Sequence, residues 1–287
     1  MPKTSTAVIT FVYNESVNLP IWIRHYGSLF GANNLFIVDR GSDDGSTENL
    51  GDVNRLRVPR HEFDENEKTD FMSNFHRSLL SFYKTVIITD CDELLVTDPS
   101  KYPTLRQFVD TVDFDYVGAI GIDVLHNTEN EPPINLALPI LSQRKYGRFY
   151  SRECKSLISR IPLHWLPGFH STNSPPKLST DVYIFHTRTM DRDIAVARQK
   201  INQTTIWSDR SLARNFGAHH RFDLDKFIHA AFLVPMDMIK RNAIGEFEFS
   251  SEIAQVYKET TESNGKFHIP MNISKIVEIP ERFKKLL

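Results

Sequence analysis

The chain has 287 residues, of which 40% are hydrophobic and 24% are charged, an ordinary composition for a globular protein with a substantial core. Its formal net charge of −2 gives no reason to expect binding to nucleic acid or to an anionic membrane surface. We see no secretory signal, no transmembrane run, and only two cysteines, Cys91 and Cys154, so we expect a protein of the reducing cytoplasm.

The first 125 residues predict strands that alternate with helices, the pattern of a parallel sheet with crossover helices. Strands are expected over 6–14, 34–40, 54–60, 84–90 and 115–125. Between the first two strands, a helix is expected to be capped by Asn18, to have Pro20 in its first turn and to end at Gly31. A second helix is indicated by Phe71 and Phe75, which share one face at helical spacing.

After about residue 126 this alternation is lost. Regular elements are predicted for only three later stretches, strands over 155–161 and 181–186 and a helix over 190–203. The remainder reads as an irregular helical tail with a basic end. Because no linker divides the two parts, we expect one domain over 1–287, with a first half over 1–125 and a second half over 126–287.

Polar side chains follow three of the predicted strands at their carboxyl ends. They are, in chain order, Asn14, Glu15, Asp39, Asp90, Asp92 and Glu93. In open α/β sheets, ligands bind at this edge. Carboxylates are costly to bury unless a cation or several donors meet them, and Mg²⁺ or Mn²⁺ held by two aspartates keeps positions for phosphate oxygens. The pattern therefore predicts a metal-bound diphosphate at the edge of the sheet.

Four stretches of the sequence carry a resemblance to a known family: VITFVYNESVNLPIWIRHY, LFIVDRGSDDGST, VIITDCDELLV and YIFHTRTMDRDIAVARQK. With them the chain resembles glycosyltransferases of the GT-A fold, of family 2 and of the related family 92 (domain of unknown function 23). The resemblance implies a mainly parallel sheet flanked by helices, a nucleotide-sugar-binding half over 1–125, and an acceptor half over 126–287. It also implies Mn²⁺ or Mg²⁺, a UDP-sugar donor by default, and inversion at the anomeric carbon.

The resemblance assigns roles to the residues at the strand ends. Tyr13 and Glu15 match positions that line the nucleotide pocket, and Asp39 matches an acid that contacts the base or the ribose. Asp90 and Asp92 match the D-x-D motif. Both are expected at the metal, with Asp92 as the direct ligand and Asp90 nearer the ribose.

Later residues complete the expected site. His186 matches a late histidine that ligates the metal, and a neutral imidazole suits Mn²⁺. His170 aligns with a histidine expected to contact the diphosphate, and Lys155 could neutralise its phosphates; packing and a solvated strand edge are the alternatives. Because the Glu-Asp pair of common family 2 enzymes is not evident, the catalytic base stays open, with Asp123 as the first candidate and Glu153 as the second.

Two other classes of function are compatible with acids at strand ends. A nucleotidyltransferase uses the same chemistry but usually has a glycine-rich phosphate loop, and TFVYNESVN contains no glycine. A catalytically silent carbohydrate- or nucleotide-binding protein would explain the missing base. For a transferase, we expect a carbohydrate or glycolipid acceptor in surface polysaccharide or glycoconjugate synthesis. The tail ERFKKLL would allow peripheral attachment to a membrane.

Overall fold

The computed structural model describes residues 4–241 and 245–287. The strands in these residues are Thr4–Val12 (β1), Leu35–Asp39 (β2), Asn54–Arg57 (β3), Tyr83–Ile88 (β4), Glu93–Thr97 (β5), Tyr116–Leu125 (β6), Tyr146–Tyr150 (β7), Ser156–Ser159 (β8), Ser171–Thr172 (β9), Leu178–His186 (β10), Thr261–Ser263 (β11), Lys266–His268 (β12) and Ser274–Glu278 (β13). The α-helices are Asn18–Phe30 (α1), Glu65–Leu79 (α2), Leu105–Thr111 (α3), Arg192–Gln203 (α4), Asp209–Ala213 (α5), Leu224–Ile228 (α6), Val234–Arg241 (α7) and Ser250–Glu259 (α8).

A ten-stranded sheet contains strands from both halves of the chain. Its order is β13-β7-β6-β8-β4-β1-β2-β3, and β10 followed by β5 continues the sheet from the other edge of β6. Within this sheet β5, β7 and β8 run against the other seven strands. A small second sheet has the order β11-β12-β9. The expected α/β architecture, a mostly parallel sheet flanked by helices, is confirmed.

The central strands follow from runs of buried apolar side chains. All ten residues of β6 are buried, and the apolar ends of β1 and β4 are buried in the same way, as expected for strands covered on both faces. Helix α1 packs Trp22 and Tyr26 on this sheet and ends at Gly31, whose φ of 88° requires a residue without a Cβ. Asp64 and Asp191 cap α2 and α4 by accepting bonds from backbone N–H groups.

Several sequence expectations need correction in detail. The third strand ends at Arg57, before Pro59, and the fourth ends at Ile88, so Asp90 lies in the turn into β5. Strands β5, β7 and β13 were not expected, because each is only five residues long and pairs antiparallel with a distant partner.

The carboxyl-terminal tail is docked on the core rather than extended into solvent. Phe283 is fully buried, with its ring centroid 5.4 Å from that of Tyr183 and 5.6 Å from that of Phe185. Leu286 and Leu287 pack against the same core. The apolar side chains that membrane attachment would use are therefore engaged within the protein. No helix in the described part of the chain is long and apolar enough to cross a bilayer.

Replacement of Phe283 by alanine should lower the free energy of unfolding by about 3–5 kcal/mol, because it leaves a cavity in a packed aromatic cluster. Urea unfolding followed by circular dichroism measures the change. Phe82→Ala is the matched control, since Phe82 is 72% exposed and should change stability by no more than about 0.5 kcal/mol. Equal stabilities of the two variants would contradict the docked tail.

Candidate functional site

A row of charged residues crosses four strands near the carboxyl end of the sheet. His186 on β10 pairs in register with Glu93 on β5 and with Asp123 on β6, and Asp123 pairs in turn with Arg148 on β7. Directly opposed residues of neighbouring strands lie on one face of a sheet, with Cβ atoms about 5 Å apart. The register therefore places acid, base, acid and base side by side.

Lys155 is the buried cation of this region. Its Nζ forms an ion pair with Glu93 and lies 3.3 Å from Glu153 Oε2 and 3.6 Å from Asp90 Oδ2. Burial alone would lower the pKa of Lys155, but these carboxylates raise it well above its usual value. Burial raises the pKa of Glu93 to about 7 even though Lys155 opposes the shift. Removing Lys155 would leave Glu93 without a cationic partner in the described part of the chain, whereas Asp90 and Glu153 would keep Lys68 and Arg152.

The position of Glu153 depends on a glycine in the neighbouring strand. A Cβ added at Gly121 of β6 would lie 2.3 Å from Cβ of Glu153 and 2.4 Å from its carbonyl carbon, closer than atoms can approach. The Gly121 N–H also lies 3.4 Å from the Cys154 Sγ, which accepts its hydrogen bond. Only glycine lets this turn lie against the sheet and bring Glu153 and Lys155 to the charged row.

His186 lies between two aspartates. Its Nδ1 is 2.8 Å from Asp123 Oδ1, and its Nε2 is 3.4 Å from Asp92 Oδ2. The second oxygen of Asp123 accepts two hydrogen bonds from Arg148, at 3.1 and 2.6 Å. Burial would lower the pKa of His186, but Glu153 and Asp92 raise it well above its usual value. The imidazole is therefore held in one orientation, with Nδ1 directed at Asp123.

Asp123, Glu153 and His186 together form a group that could hold a metal ion, because each offers a ligand atom within 4.8 Å of the others. The side chains of Asp123 and Glu153 are only 4% and 6% exposed, and both are already paired with cations. Asp92, on the opposite side of His186, is 24% exposed. Asp92 does not belong to this group, but it faces the other ring nitrogen of His186 on the side that is more open to solvent.

The two aspartates of the D-x-D motif have different surroundings. Asp90 Oδ1 accepts a bond from Lys68 Nζ at 3.0 Å, and its other oxygen faces Lys155. Burial would raise the pKa of Asp92, but the charge of His186 and its hydrogen bond lower it overall. Both aspartates are therefore kept ionised, and Asp90 is the more heavily neutralised of the two.

Glu15 and Tyr13 follow β1 and lie beside α4. Arg198 Nη2 is 2.8 Å from Glu15 Oε1, and its Nη1 donates to the backbone carbonyls of Tyr13 and Asn14. Burial raises the pKa of Glu15 to about 7 against the attraction of Arg198. The ring of Tyr13 lies under the Arg60 guanidinium, 4.2 Å from ring centroid to carbon.

Asp39 is fully buried and lies beneath the loop that follows β2. Its oxygens accept bonds from the Ser42 N–H, from the Thr47 hydroxyl, and from Nε and Nη2 of Arg55 at 3.0 and 2.6 Å. These bonds fix the loop and occupy the carboxylate. Like Asp123, Glu153 and Lys155, Asp39 is therefore buried and already paired, and a ligand contact at its carboxylate would require Arg55 to move.

His170 lies next to the charged cluster. Its Nδ1 is 2.6 Å from the carbonyl oxygen of Arg152, so this nitrogen carries the proton, and burial lowers the pKa of the ring to about 4. The imidazole is therefore neutral. The bond to Arg152 places His170 beside the turn that carries Glu153 and leads to Lys155. Of these two residues, Lys155 is the one that the sequence analysis expected at the diphosphate together with His170.

Sequence reasoning missed most of the basic residues of this site. They are Lys68 on α2, Arg148 on β7, Arg152 in the turn before β8 and Arg198 on α4. Arg188 is not among them, because its position just after His186 in the sequence already suggests either neutralisation of the donor phosphates or a solvated side chain. The stretch YGRFY, with alternate residues buried, carries the strand signal that points Arg148 to one face. The sequence places Lys68 and Arg198 on one face of a predicted helix. It does not predict which strand end that face of the helix covers.

Comparison with known proteins finds no family for the chain and a weak structural similarity. No family model and no curated protein matches the chain. Among solved structures it is similar to mannosyltransferase PcManGT from Pyrobaculum calidifontis in complex with GDP-Man and Mn²⁺, with 16% sequence identity over 44% of this chain and 36% of that chain and a TM-score of 0.26. The alignment leaves most of both chains unmatched, and the chain spans about a third of that protein's length.

Replacement of Glu15 by glutamine should change how stability depends on pH. A pKa raised to about 7 means that the folded protein holds this proton more tightly than the unfolded chain, so the contribution of Glu15 is lost as the pH rises through about 7. Glutamine does not titrate. The free energy of unfolding of Glu15→Gln relative to the unsubstituted protein should therefore rise, by on the order of 2 kcal/mol, between about pH 5 and about pH 8.

Urea unfolding at a series of pH values measures this difference. The exposed Glu62 provides the control, since Glu62→Gln removes the same charge outside the site. A difference for Glu15→Gln that stays constant with pH, as the control's should, would rule out a buried, proton-holding Glu15.

Proposed function

We propose that the protein is a metal-dependent glycosyltransferase of the GT-A type, resembling families 2 and 92, that moves a sugar from a nucleotide diphosphate sugar to an acceptor hydroxyl. The observation that carries this proposal is the placement of His186, with one ring nitrogen on Asp123 and the other beside the open Asp92. A histidine and an aspartate beside a cluster of cations suit a divalent ion and a diphosphate together.

The donor atoms favour Asp92 and His186 Nε2 as metal ligands. Histidines that bind metal usually donate their other ring N–H to a carboxylate, and Asp123 lies 2.8 Å from Nδ1 in the required position. Asp90, also expected at the metal, is neutralised by Lys68 and is better suited to orient that cation towards phosphate. A bound Mn²⁺ or Mg²⁺ would offset the charge that grows on the diphosphate as the sugar leaves.

The donor would lie across the ends of β1 and β4. Tyr13 offers an aromatic face for the base, Glu15 with Arg198 borders the ribose, and Lys155 with His170 lies on the side of the phosphates. UDP as the nucleotide, inversion at the anomeric carbon, and a carbohydrate or glycolipid acceptor follow from the family resemblance alone. Asp39 would support the loop that closes this pocket, since its own oxygens are bound.

Asp123 and Glu153 remain the proposed bases. Asp123 is the better placed of the two to orient His186, so we assign the proton of the acceptor hydroxyl to Glu153. Burial would raise the pKa of Glu153, but Lys155 and His186 lower it well below its usual value. The carboxylate is therefore ionised and able to accept a proton, although its low pKa makes it a weak base.

A catalytically silent binding protein is the second candidate. The observation that favours it is that both expected bases are nearly fully buried and paired with cations. Such a protein would bind the nucleotide sugar and metal without transferring the sugar. Hydrolysis of bound UDP-sugar or GDP-sugar, followed by chromatography, separates the two functions.

Nucleotide binding should depend on Mn²⁺ and on Asp92. We expect one of UDP, GDP, CDP, ADP and dTDP to raise the unfolding temperature with Mn²⁺ and not with EDTA. A ligand at about a hundred times its dissociation constant adds roughly 2.7 kcal/mol to the stability.

Asp92→Asn should abolish the Mn²⁺-dependent shift of the unfolding temperature. Asp123→Asn should weaken Mn²⁺ binding by about 10–100-fold, because His186 loses its orientation.

Asp52→Asn is the control for both variants, because Asp52 is exposed and lies outside the site. A full Mn²⁺-dependent shift in Asp92→Asn would refute the assigned ligands. If none of the nucleotides shifts the unsubstituted protein, the transferase proposal itself fails.

A further inference from the structure

The charged groups of the site form pairs. Each of its carboxylates has a basic partner at an N···O distance of 3.4 Å or less. The pairs are Glu15 with Arg198, Asp90 with Lys68, Asp92 with His186, Glu93 with Lys155, Asp123 with Arg148, and Glu153 with Arg152. Buried charges need such partners, so this arrangement accounts for these side chains.

Arg188 is the basic residue left over from this pairing. It lies two residues after His186, where the chain leaves β10. Among the described residues it forms no ion pair, and its hydrogen bond is a long one, 3.5 Å from Nη2 to Gln199 Oε1. Burial lowers the pKa of Arg188, and Asp92 gives the largest opposing attraction. The Thr187 N–H donates to the Asp92 carbonyl oxygen at 2.8 Å, so Arg188 directly follows a residue that is bound to the turn carrying Asp92. In the described part of the chain, the other contact of its guanidinium is with the ring of Phe227, whose centroid lies 5.6 Å away.

Gln199 holds Arg188 at this place. Its side chain is buried, and its Nε2 donates to the carbonyl oxygens of His219, His220 and Phe222 at 3.1, 3.2 and 3.0 Å. These bonds fix the amide, so Oε1 faces Arg188. An arginine that is held near the proposed metal position and has no carboxylate of its own is prepared for an anion supplied by a ligand.

We propose that Arg188 binds the phosphate that becomes terminal when the nucleoside diphosphate leaves, an inference that rests on the proposed sugar transfer. In that transfer the bond between the anomeric carbon and the phosphate oxygen breaks, and its electron pair stays on that oxygen. The acceptor oxygen forms the new bond to the anomeric carbon, and its proton goes to Glu153. The phosphate thereby gains one negative charge.

This role makes Arg188 a catalytic residue for the departing group. Its attraction is stronger for the charged product than for the bound donor, and only an interaction that strengthens towards the transition state accelerates the reaction. Lys68 and Lys155 already bind carboxylates of the site, so among its described basic residues Arg188 has the charge that no carboxylate offsets. The nucleoside diphosphate should accordingly depend on Arg188 more than the nucleotide sugar does.

Isothermal titration calorimetry with Mn²⁺ tests this difference, with UDP and UDP-glucose, and GDP and GDP-mannose, as the probe pairs. Arg188→Gln should weaken binding of the nucleoside diphosphate by about 10–100-fold and binding of its nucleotide sugar by about threefold or less, because one charge-assisted contact is lost mainly from the product. Arg188→Lys should give an intermediate loss, since it keeps the charge and loses the planar fork.

Arg192→Gln is the matched control, since Arg192 is exposed at the start of α4 and should change neither affinity. Titration of Mn²⁺ alone should show no loss of affinity in any variant, because removing a cation near Asp92 cannot disfavour a divalent ion; a loss would reveal an indirect effect through His186. Equal losses for both members of a pair, or no loss, would overturn the role of Arg188 while leaving the transferase proposal in place. Failure of the unsubstituted protein to bind either pair would overturn both.

Discussion

The cost of burying carboxylates at one end of the sheet is the constraint on which the rest of the site depends. Lys155 offsets that cost at the centre of the site, where its Nζ forms ion pairs with Glu93, Glu153 and Asp90. Removing one member of such a cluster leaves an uncompensated buried charge, which is far more costly than never having buried the group. The strand ends, the turn before β8 and helix α2 are thus tied together by charge as well as by the apolar core.

The same ion pairs determine how the charge of the site changes when its proposed ligands bind. Apart from that of Arg188, the charges of the site are already matched, so a divalent ion beside Asp92 would introduce positive charge that the protein does not neutralise. A diphosphate supplies the missing negative charge. Metal and nucleotide would therefore assist each other's binding, and the fixed hydrogen bonds around His186 reduce the reorganisation that either ligand requires.

The sequence allowed prediction of the parts of the site that depend on local pattern. Apolar runs that stop on Asp90 and His186 predicted strand ends, and the structure does bring Asp90, Asp92, Glu153, Lys155 and His186 together. The register between the strands could not be predicted from the sequence. The row from Glu93 to Arg148 requires four strands from distant parts of the chain to align. The ion pair between Asp39 and Arg55 could not be predicted either. The sequence at a strand end is the same whether its carboxylate faces a ligand or a residue of the neighbouring strand.

Gly121 has a consequence for how this sequence can evolve. Every residue that could replace it adds a Cβ, and that atom would collide with the backbone of Glu153. Selection against such replacements would act through the displacement of a neighbouring turn, although the glycine itself offers no group to a substrate. In a family of descendants the position would look as invariant as a catalytic residue, and its invariance would record geometry rather than chemistry.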